Sequence, residues 1–362
     1  MRRFGCVLIE LAIGVSVAAA GTAAGWYGIR AAQRVGAAYA ASDFAPPRPR
    51  HLPPPAVLEH AVGPPLGAAP TSYFLGIKDE ILVAPLLAAD VTRVKFNRGG
   101  SSISFRLEFA GGWRAAFKPD QTNEQTVPRK EIAAYRISRL LGLEAVAPAV
   151  GRKFALTELI DKVDEGSRDV IPRMQEQVIV DEDGMVAGEL SWWIPVIVDA
   201  KLENVPIDEP DGMTAWHRYL SVGAAEPYSG RALLPQISSM VVFDYLINNS
   251  DRFSGSNTKA SPDGKTLFFM DNTLSFGPVP EGSPKVRSYL ENVQKFSRAL
   301  LRRVRSLDED TVRAAMSSDT GPYERLLSDA EVAAVMYRRD ILLAYVDGLI
   351  GELGEAEVLC YP

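Results

Sequence analysis

Cysteine and histidine are scarce in this 362-residue sequence, which contains two cysteines and three histidines. Cys6 and Cys360 stand near opposite ends of the chain, so neither a disulfide framework nor a cysteine zinc site can be built from them. His51, His60 and His217 are scattered. Any bound metal is therefore expected to be a hard cation held by carboxylates.

A strong excess of one charge is also absent. The net charge is −6, and charged residues make up 23% of the chain. This balance predicts no nucleic-acid-binding surface, and mild acidity identifies no partner. Hydrophobic residues make up 47%, which allows a large core. At about 100–200 residues per domain, one large or two small domains would fit. The oligomeric state stays open.

The longest apolar run lies at the N-terminus. Residues 4–29 carry one charge, Glu10, and about 20 apolar residues are enough to cross a bilayer. Two arginines precede the run, and Ala18-Ala19-Ala20 would suit a cleaved secretory signal. The length and the aromatic end of the run favour an uncleaved anchor, and a buried core helix is the remaining alternative. Residues 1–34 are therefore predicted to be a signal anchor or signal peptide.

The membrane side of the protein is left open, because basic residues flank the apolar run on both sides. The extracytoplasmic side is favoured, with a cytoplasmic-facing or secreted domain as the alternatives. Residues 43–70 then hold nine prolines, which is typical of an extended spacer. Residues 35–72 are therefore predicted to form a Pro-rich linker that contributes no core residue.

Alternating and β-rich segments separated by glycine-containing loops begin the folded part. Residues 91–96, 103–109 and 113–117 are predicted to form antiparallel strands. A helix should follow from Pro128, with Gly142 as its C-terminal cap. Ala133, Ile137, Leu140 and Leu141 of this helix should face the core.

Later segments are predicted to be first β-rich and then mostly helical. We expect a strand at 153–160, a hairpin at 176–190 turning on 181–184, a strand at 192–198, an apolar stretch at 237–247, a short strand at 267–270, and helices near 290–306, 308–317 and 328–352. Residues 200–230 cannot be assigned. Strands followed by helices indicate an α+β fold with two lobes over residues 73–362, with the N-lobe at about 73–198 and the C-lobe at about 199–362.

Two aspartates follow buried elements in the central stretch. Asp251 lies in a polar loop after residues 237–247, and Asp271 ends the short strand. Phosphoryl transfer needs one Asp to position or deprotonate the attacking hydroxyl and another to hold a divalent metal. Asp251 is therefore the candidate catalytic residue, and Asp271 the candidate ligand of Mn²⁺ or Mg²⁺. Asn257, in the same loop as Asp251, offers an amide oxygen for a second metal contact.

Residues earlier in the chain would complete a nucleotide site. Lys118, at a strand end, would neutralise phosphates, and Glu131 on the next helix would orient Lys118 or share the metal. Gly99 and Gly100 would let backbone N–H groups approach the phosphates. The order of these groups along the chain, from glycine loop to metal-binding Asp, is the order that a kinase fold needs.

Four segments resemble the Fam20-type secretory-pathway kinases, and more distantly the HipA and CotH kinases. They are FKP at 117–119, EIAAYRISRLLGLEAVAPAVGR at 131–152, DYLINNSDR at 244–252, and FMDNTLSFG at 269–277. The resemblance covers roughly residues 90–280. It implies the same roles for Lys118, Glu131, Asp251 and Asp271, use of Mn²⁺ or Mg²⁺, and phosphorylation of secreted proteins or glycans.

The chain departs from that family in three respects. It lacks the cysteines for the disulfides of the animal members, and the residues after Asp251-Arg252 are not His-rich. Asn257 is six residues past Asp251, whereas the usual kinase loop has five. The sequence thus predicts an ATP- and metal-dependent phosphotransferase acting on a hydroxyl of a protein or glycan. An inactive pseudokinase scaffold and a nucleotidyl (AMP) transferase are the alternatives.

Overall fold

The computed structural model of the chain describes residues 50–52, 72–254, 257–277 and 279–362, which belong to one compact unit. The predicted anchor at 1–34 and most of the predicted linker lie outside the described residues. Within the described ranges, no helix is both long enough and apolar enough to cross a membrane.

A five-stranded antiparallel sheet dominates the first half, in the order β3-β4-β5-β7-β6. The elements of this half are β1 (Tyr73–Phe74), β2 (Ile77–Lys78), α1 (Asp79–Ala88), β3 (Val91–Phe96), β4 (Phe105–Phe109), β5 (Arg114–Pro119), α2 (Pro128–Leu140), β6 (Ala149–Ala155), α3 (Leu156–Asp161), a 3-10 helix (Glu165–Val170), α4 (Ile171–Gln177) and β7 (Met185–Trp192). The three predicted strands β3, β4 and β5 and the predicted helix α2 are confirmed.

The two faces of the sheet differ in chemistry because side chains alternate along each strand. One face carries buried apolar side chains such as Phe105, Phe117 and Leu190, which belong to a core shared with the elements between β6 and β7. The other face carries Lys118 and Glu189, directly opposite each other on β5 and β7. Helix α2 contacts β6 and β7, and its side chain Glu131 reaches Lys118 on this polar face.

Helix α2 has the termini that its sequence predicts. Pro128 lies in the first turn, where its missing N–H is not needed, and Gly142 follows the helix with φ = +70°. Ala133, Ile137 and Leu141 are buried, as predicted, while Leu140 is half-buried against the same core. The helix therefore has one apolar side against the second half of the chain and presents charged groups elsewhere.

Three predicted strands are wrong in part. Residues 156–160 form α3 instead of continuing β6, since Leu159 packs into the core and Glu158 pairs with Lys162 one helical turn later. The segment before the turn at 181–184 ends helix α4, so β7 pairs with β6 and β5 and not with residues 176–180. The strand expected at 192–198 does not form, because β7 already ends at Trp192. Only Val198–Asp199 at its far end is a strand.

The second half is mostly helical. Its elements are β8 (Val198–Asp199), β9 (Lys201–Leu202), β10 (Val205–Pro206), α5 (Pro210–Tyr219), a 3-10 helix (Arg231–Leu233), α6 (Leu234–Ile247), β11 (Thr258–Ala260), β12 (Leu267–Phe269), α7 (Pro284–Glu291), α8 (Arg298–Ser306), α9 (Glu309–Ser317), α10 (Asp329–Leu353) and α11 (Glu355–Val358). This half also contains a three-stranded sheet in the order β12-β11-β8. The unassigned stretch 200–230 contains α5.

One predicted helix is broken in two. The helix expected at 290–306 is instead α7, a connection, and α8, because Ser297 caps α8 by accepting a hydrogen bond from the N–H of Leu300. Helix α6, by contrast, is buried along nearly its whole length, which agrees with its apolar sequence. It is the centre around which the second half packs.

The expectation that the proline-rich segment contributes no core residue is wrong at Leu52. This side chain is 5% exposed and belongs to the core of the second half. Its backbone N–H donates to Oε1 of Glu291 over 3.0 Å, and Arg50 forms an ion pair with Glu352. Residues 50–52 are therefore attached to the folded domain.

Candidate active site

Lys118 lies at the centre of the polar face of the sheet. Its Nζ is 2.6 Å from Oδ1 of Asp271 and 3.8 Å from Oε2 of Glu131. Glu189 stands directly opposite on β7. Burial alone would lower the pKa of Lys118, but the carboxylates of Asp271, Glu131 and Glu189 together raise it above its ordinary value. The ammonium group therefore stays charged.

Glu131 is held in place by Asn272. The backbone N–H and the side-chain amide of Asn272 donate to the two carboxylate oxygens of Glu131 over 2.7 and 2.8 Å. Glu131 is 6% exposed, and Asn272 is fully buried. The helix residue and the residue after Asp271 are thus joined across 141 positions of sequence, as the predicted convergence requires.

Asp271 follows β12 by two residues and has an uncommon backbone conformation, with φ = +54°. Its Oδ1 accepts hydrogen bonds from Lys118 and from Thr273, while 41% of its side chain remains exposed. Desolvation acts to raise the pKa of Asp271, but the Lys118 charge and these hydrogen bonds outweigh it and lower the pKa. Asp271 is thus an ionised carboxylate with an accessible side.

Asp251 lies in the loop after α6. The helix ends at Ile247 because Asn248 adopts the left-handed conformation, with φ = +55°. The side chain of Asn249 then links the two aspartates: its Oδ1 accepts from the N–H of Asp251 over 3.1 Å, and its Nδ2 donates to the carbonyl of Asp271 over 3.2 Å. The candidate catalytic and metal-binding residues therefore lie side by side.

A buried ion pair supports this loop from below. Arg252 is fully buried and contacts Asp244 of α6 over 2.9 Å. Arg252 also donates to Oδ1 of Asn272 over 2.6 Å and to the carbonyl of Met270. One arginine thus connects α6, the Asp251 loop and the end of β12.

Asn257 lies beside Asp251 and not beside Asp271. Its Nδ2 donates to the carbonyl and to Oδ2 of Asp251 over 3.2 and 3.3 Å. Ser254 donates to Oδ1 of the same carboxylate over 2.5 Å. The role of Asn257 as a metal ligand stays a prediction, since its contacts are with the candidate catalytic residue.

The glycine pair lies in the loop between β3 and β4. Gly99 and Gly100 have φ of +138° and +79° and open space where a side chain would be. Arg98 next to them contacts Asp169 over 2.8 Å and the carbonyl of Gly166. Among the described residues, no hydrogen bond or ion pair joins the glycines to Lys118 or Asp271. Their role in phosphate binding stays a prediction.

Several known proteins are similar in sequence to this chain. No protein-family model matches the chain. Human glycosaminoglycan xylosylkinase is 24% identical over 296 residues, covering 72% of each chain. Mouse pseudokinase FAM20A is 25% identical, covering 72% of this chain and 56% of the relative. Human extracellular serine/threonine protein kinase FAM20C is 21% identical, covering 72% and 50%. The chain thus spans about half of the length of the latter two.

Solved structures agree on the fold. The Golgi casein kinase superposes with a TM-score of 0.62 at 16% identity, covering 78% of this chain and 77% of the other. Its form with Mn and ADP bound gives 0.62 at 17%. Hydra Fam20 with sugar gives 0.57 at 19%, covering 77% and 90%. The chain is Fam20-like. The predicted two-lobed kinase-like fold is confirmed, and kinase is the class of enzyme that this likeness supports.

Three residues of the Fam20-like site were missed in the sequence. Glu189 is 1% exposed and lies between apolar neighbours as the only charged residue of β7. A lone acid inside a strand was the available signal, but its position opposite Lys118 depends on strand register. Asn249 and Asn272 are fully buried, and each lies next to or near a predicted aspartate. Asparagine is common in turns, so neither residue stands out in the sequence.

The carboxylates around Lys118 fit a hard divalent cation. Burial, and next the charge of Glu131, raise the pKa of Glu189 well above its ordinary value, which reflects an excess of carboxylates over cations. Asp271 is the accessible member. No cluster of three or more acidic, histidine or cysteine side chains in the described ranges forms a complete metal cage. Mg²⁺-type sites commonly use one or two carboxylates and complete their shell with phosphates and water.

Proposed function

We propose that this Fam20-like chain is a divalent-metal-dependent phosphotransferase that transfers the γ-phosphoryl group of ATP to a hydroxyl group of a protein or glycan. The observation that supports it is the joining of Asp251 to Asp271 through Asn249, next to the pair of Lys118 and Asp271. A kinase requires an acceptor-positioning Asp, a metal-binding Asp and a phosphate-binding Lys within one ligand length.

Each residue has a role that follows from its surroundings. Lys118, which stays charged, binds phosphate oxygens, and Glu131 holds the ammonium in position. Asp251 accepts a hydrogen bond from the acceptor hydroxyl and takes its proton as the phosphoryl group leaves ATP. Asp271 would hold Mn²⁺ or Mg²⁺, with Glu131 and Glu189 as the nearest further carboxylates. Such an ion, when bound, offsets the negative charge of the phosphates.

Protein and glycan acceptors are proposed because relatives of both descriptions match the chain, a serine/threonine protein kinase and a glycosaminoglycan xylosylkinase. The relatives also include a pseudokinase. The presence of Lys118, Asp251 and Asp271 in one site favours catalysis over a scaffold role. A nucleotidyl transferase would use the same groups on a different phosphate, so the transferred group must be measured.

The deciding experiment compares two isotopic labels. The full chain is incubated with Mn²⁺, a panel of protein and glycan acceptors, and ATP labelled at the α- or the γ-phosphate. We expect γ-label but no α-label on the acceptor. Transfer of α-label would support the nucleotidyl transferase. Binding of Mn²⁺ and ATP without transfer to any acceptor would support the pseudokinase.

Two variants separate binding from chemistry. Asp271→Asn should abolish the thermal shift that ATP with Mn²⁺ produces, whereas Asp251→Asn should keep the shift and stop transfer. Asp263→Asn is the control, since Asp263 lies in the exposed turn between β11 and β12 and contacts Ser261. Transfer at the wild-type rate by Asp251→Asn would disprove the catalytic assignment.

We also propose that the domain works on the extracytoplasmic side of a membrane, held by residues 4–29. Relatives named as Golgi and extracellular kinases support this location, as does the apolar N-terminal sequence. A reporter that is active only outside the cytosol, fused after Phe44, should be active. A reporter active only in the cytosol would reverse the orientation.

A further inference from the structure

The polar face of the sheet continues past Lys118 as a row of cationic side chains. Lys95, Arg106 and Ala116 lie in register on β3, β4 and β5. Ala116 and Lys118 are two residues apart, so all four side chains are on the same face. Arg106 is the diagonal neighbour of Lys118, at a Cα separation of about 7–8 Å in an antiparallel pair.

On the other side of Lys118, toward β6, the polar face of the sheet is covered by another segment of the chain. Gly151 of β6 stands opposite Glu189, and a Cβ atom on Gly151 would lie 2.7 Å from Cδ of Pro322 and 3.0 Å from the carbonyl of Thr320. The segment after α9 therefore covers this end of the sheet. An extended ligand with its phosphates at Lys118 is therefore blocked on the Gly151 side, and the row of cations lies on the Arg106 side.

A cavity of about 460 Å³ lies at that open end, a size typical of small-molecule sites. Lys95, Arg98 and Arg106 line it together with Phe96 and Trp193, and no carboxylate is among the lining residues. The lining of the cavity therefore combines positive charge with aromatic rings.

Arg106 is the central residue of this cavity. Its guanidinium carbon is 5.6 Å from the centre of the Trp193 ring, and Glu108 fixes it from the side over 2.8 Å. The Nε of Arg106 is buried without a hydrogen-bond partner among the described residues. The Lys95 side chain forms no hydrogen bond or ion pair in the described part of the chain, so its ammonium group is available to a ligand.

We infer that the base of the donor nucleotide occupies this cavity, stacks on Arg106, and is recognised by charge, so that the donors are purine nucleoside triphosphates with guanine accepted as readily as adenine. This inference rests on the proposed function. Stacking on a guanidinium plane by itself tolerates any base, because every base has a π-face. The N7 acceptor, which both purines carry, and the O6 acceptor of guanine suit arginine and lysine donors, and this favours purines.

The test separates the base from the phosphates. Dissociation constants of the full chain are measured by calorimetry for inorganic tripolyphosphate, ATP and GTP, each with Mn²⁺. The ratio of the tripolyphosphate constant to the nucleotide constant measures the contribution of the base. We expect that contribution to be similar for ATP and GTP and to fall roughly tenfold in Arg106→Leu, while tripolyphosphate binding is unchanged.

Arg93→Leu is the matched control, because Arg93 is a cation on the same face of β3 that lies outside the cavity and is 51% exposed. Should Arg106→Leu fail to fold, Lys95→Ala on the exposed side of β3 should still reduce the contribution of the base. An unchanged contribution in the variant that folds, or GTP binding no tighter than tripolyphosphate, would overturn the inference. Failure of tripolyphosphate itself to bind would instead contradict the proposed function.

Discussion

The carboxylate of Glu131 receives two hydrogen bonds from Asn272, one from the backbone N–H and one from the side-chain amide. Through this contact, helix α2 is attached to the residue that follows the candidate metal ligand. The two halves of the site are therefore joined directly by side chains of the protein. The pair also makes Asn272 a residue on which the structure of the site depends.

Asn272→Ala should lower the free energy of unfolding by about 2–4 kcal/mol. The change leaves Oε1 of Glu131 without its amide donor in a buried place, at about 1–3 kcal/mol. It also removes one of the two hydrogen bonds of Nη2 of Arg252, which keeps its bond to Asp244, at about 1 kcal/mol. Urea unfolding measures the effect. Asn292→Ala is the control, since Asn292 bonds only to the carbonyl of Ser288 near the surface. Equal losses for both variants would show that the buried contacts add nothing.

Glu189 should give the protein a distinctive pH dependence in the absence of metal. Burial and the Glu131 charge raise the pKa of Glu189 in the folded chain above its ordinary value of 4.5. The folded state therefore binds more protons than the unfolded state between these two pKa values. The stability that protonated Glu189 contributes is complete below pH 4.5 and is lost as the pH rises toward the folded-state pKa.

Glu189→Gln removes this titration. Urea unfolding in EDTA at pH 5 and pH 8 should show a smaller loss of stability with rising pH for the variant than for the natural protein. Glu182→Gln, in the exposed turn before β7, should behave like the natural protein. If the natural protein and Glu189→Gln lose stability equally between the two pH values, Glu189 does not hold a proton as the geometry indicates.

Much of this fold could be predicted because its signals are local. Glycine loops mark the hairpins of the sheet, and Pro128 and Gly142 mark the ends of α2 within one turn of their true positions. The approach of Lys118 to Asp271 followed from the order of motifs along the chain. The order of several motifs indicates a fold, whereas each motif alone is compatible with many folds.

The errors have a common physical origin in tertiary contacts. Residues 156–160 are rich in residues that suit either a strand or a helix, and the burial of Leu159 decides for the helix. The position of Glu189 depends on the register between β5 and β7, and the bridge made by Asn249 depends on where β12 ends. Contacts between segments that are distant in sequence cannot be predicted from the local residue pattern of either segment.

Leu52 provides a test of how far the folded domain extends toward the N-terminus. Leu52→Ala should lower the free energy of unfolding by about 2–3 kcal/mol, since a buried leucine side chain is lost from a packed core. His51→Ala, at the exposed neighbouring position, should have little effect. Thermal and urea unfolding of both variants measure the difference. Deleting residues 1–70 would remove Leu52, so the domain should be expressed with residues 50–52 present.

Helix α2 is also attached to the start of α10, and this contact bears on whether Glu131 can move away from Lys118. Arg129 binds Glu331 with two hydrogen bonds, of 3.0 and 3.2 Å. The two side chains are 28% and 14% exposed. A paired arginine fork with little exposure is stronger than a surface ion pair. The position of α2 should therefore be set by the second half of the chain.

A double-mutant cycle measures this contact. Arg129→Met, Glu331→Gln and the double variant should give a coupling free energy of about 1–3 kcal/mol in unfolding. Glu331 also caps α10, and the cycle cancels that separate contribution. The exposed pair of Arg98 and Asp169 serves as the control and should show no measurable coupling. Absence of coupling between Arg129 and Glu331 would show that this ion pair does not set the position of α2, and the Glu131–Lys118 contact would then depend on the hydrogen bonds from Asn272.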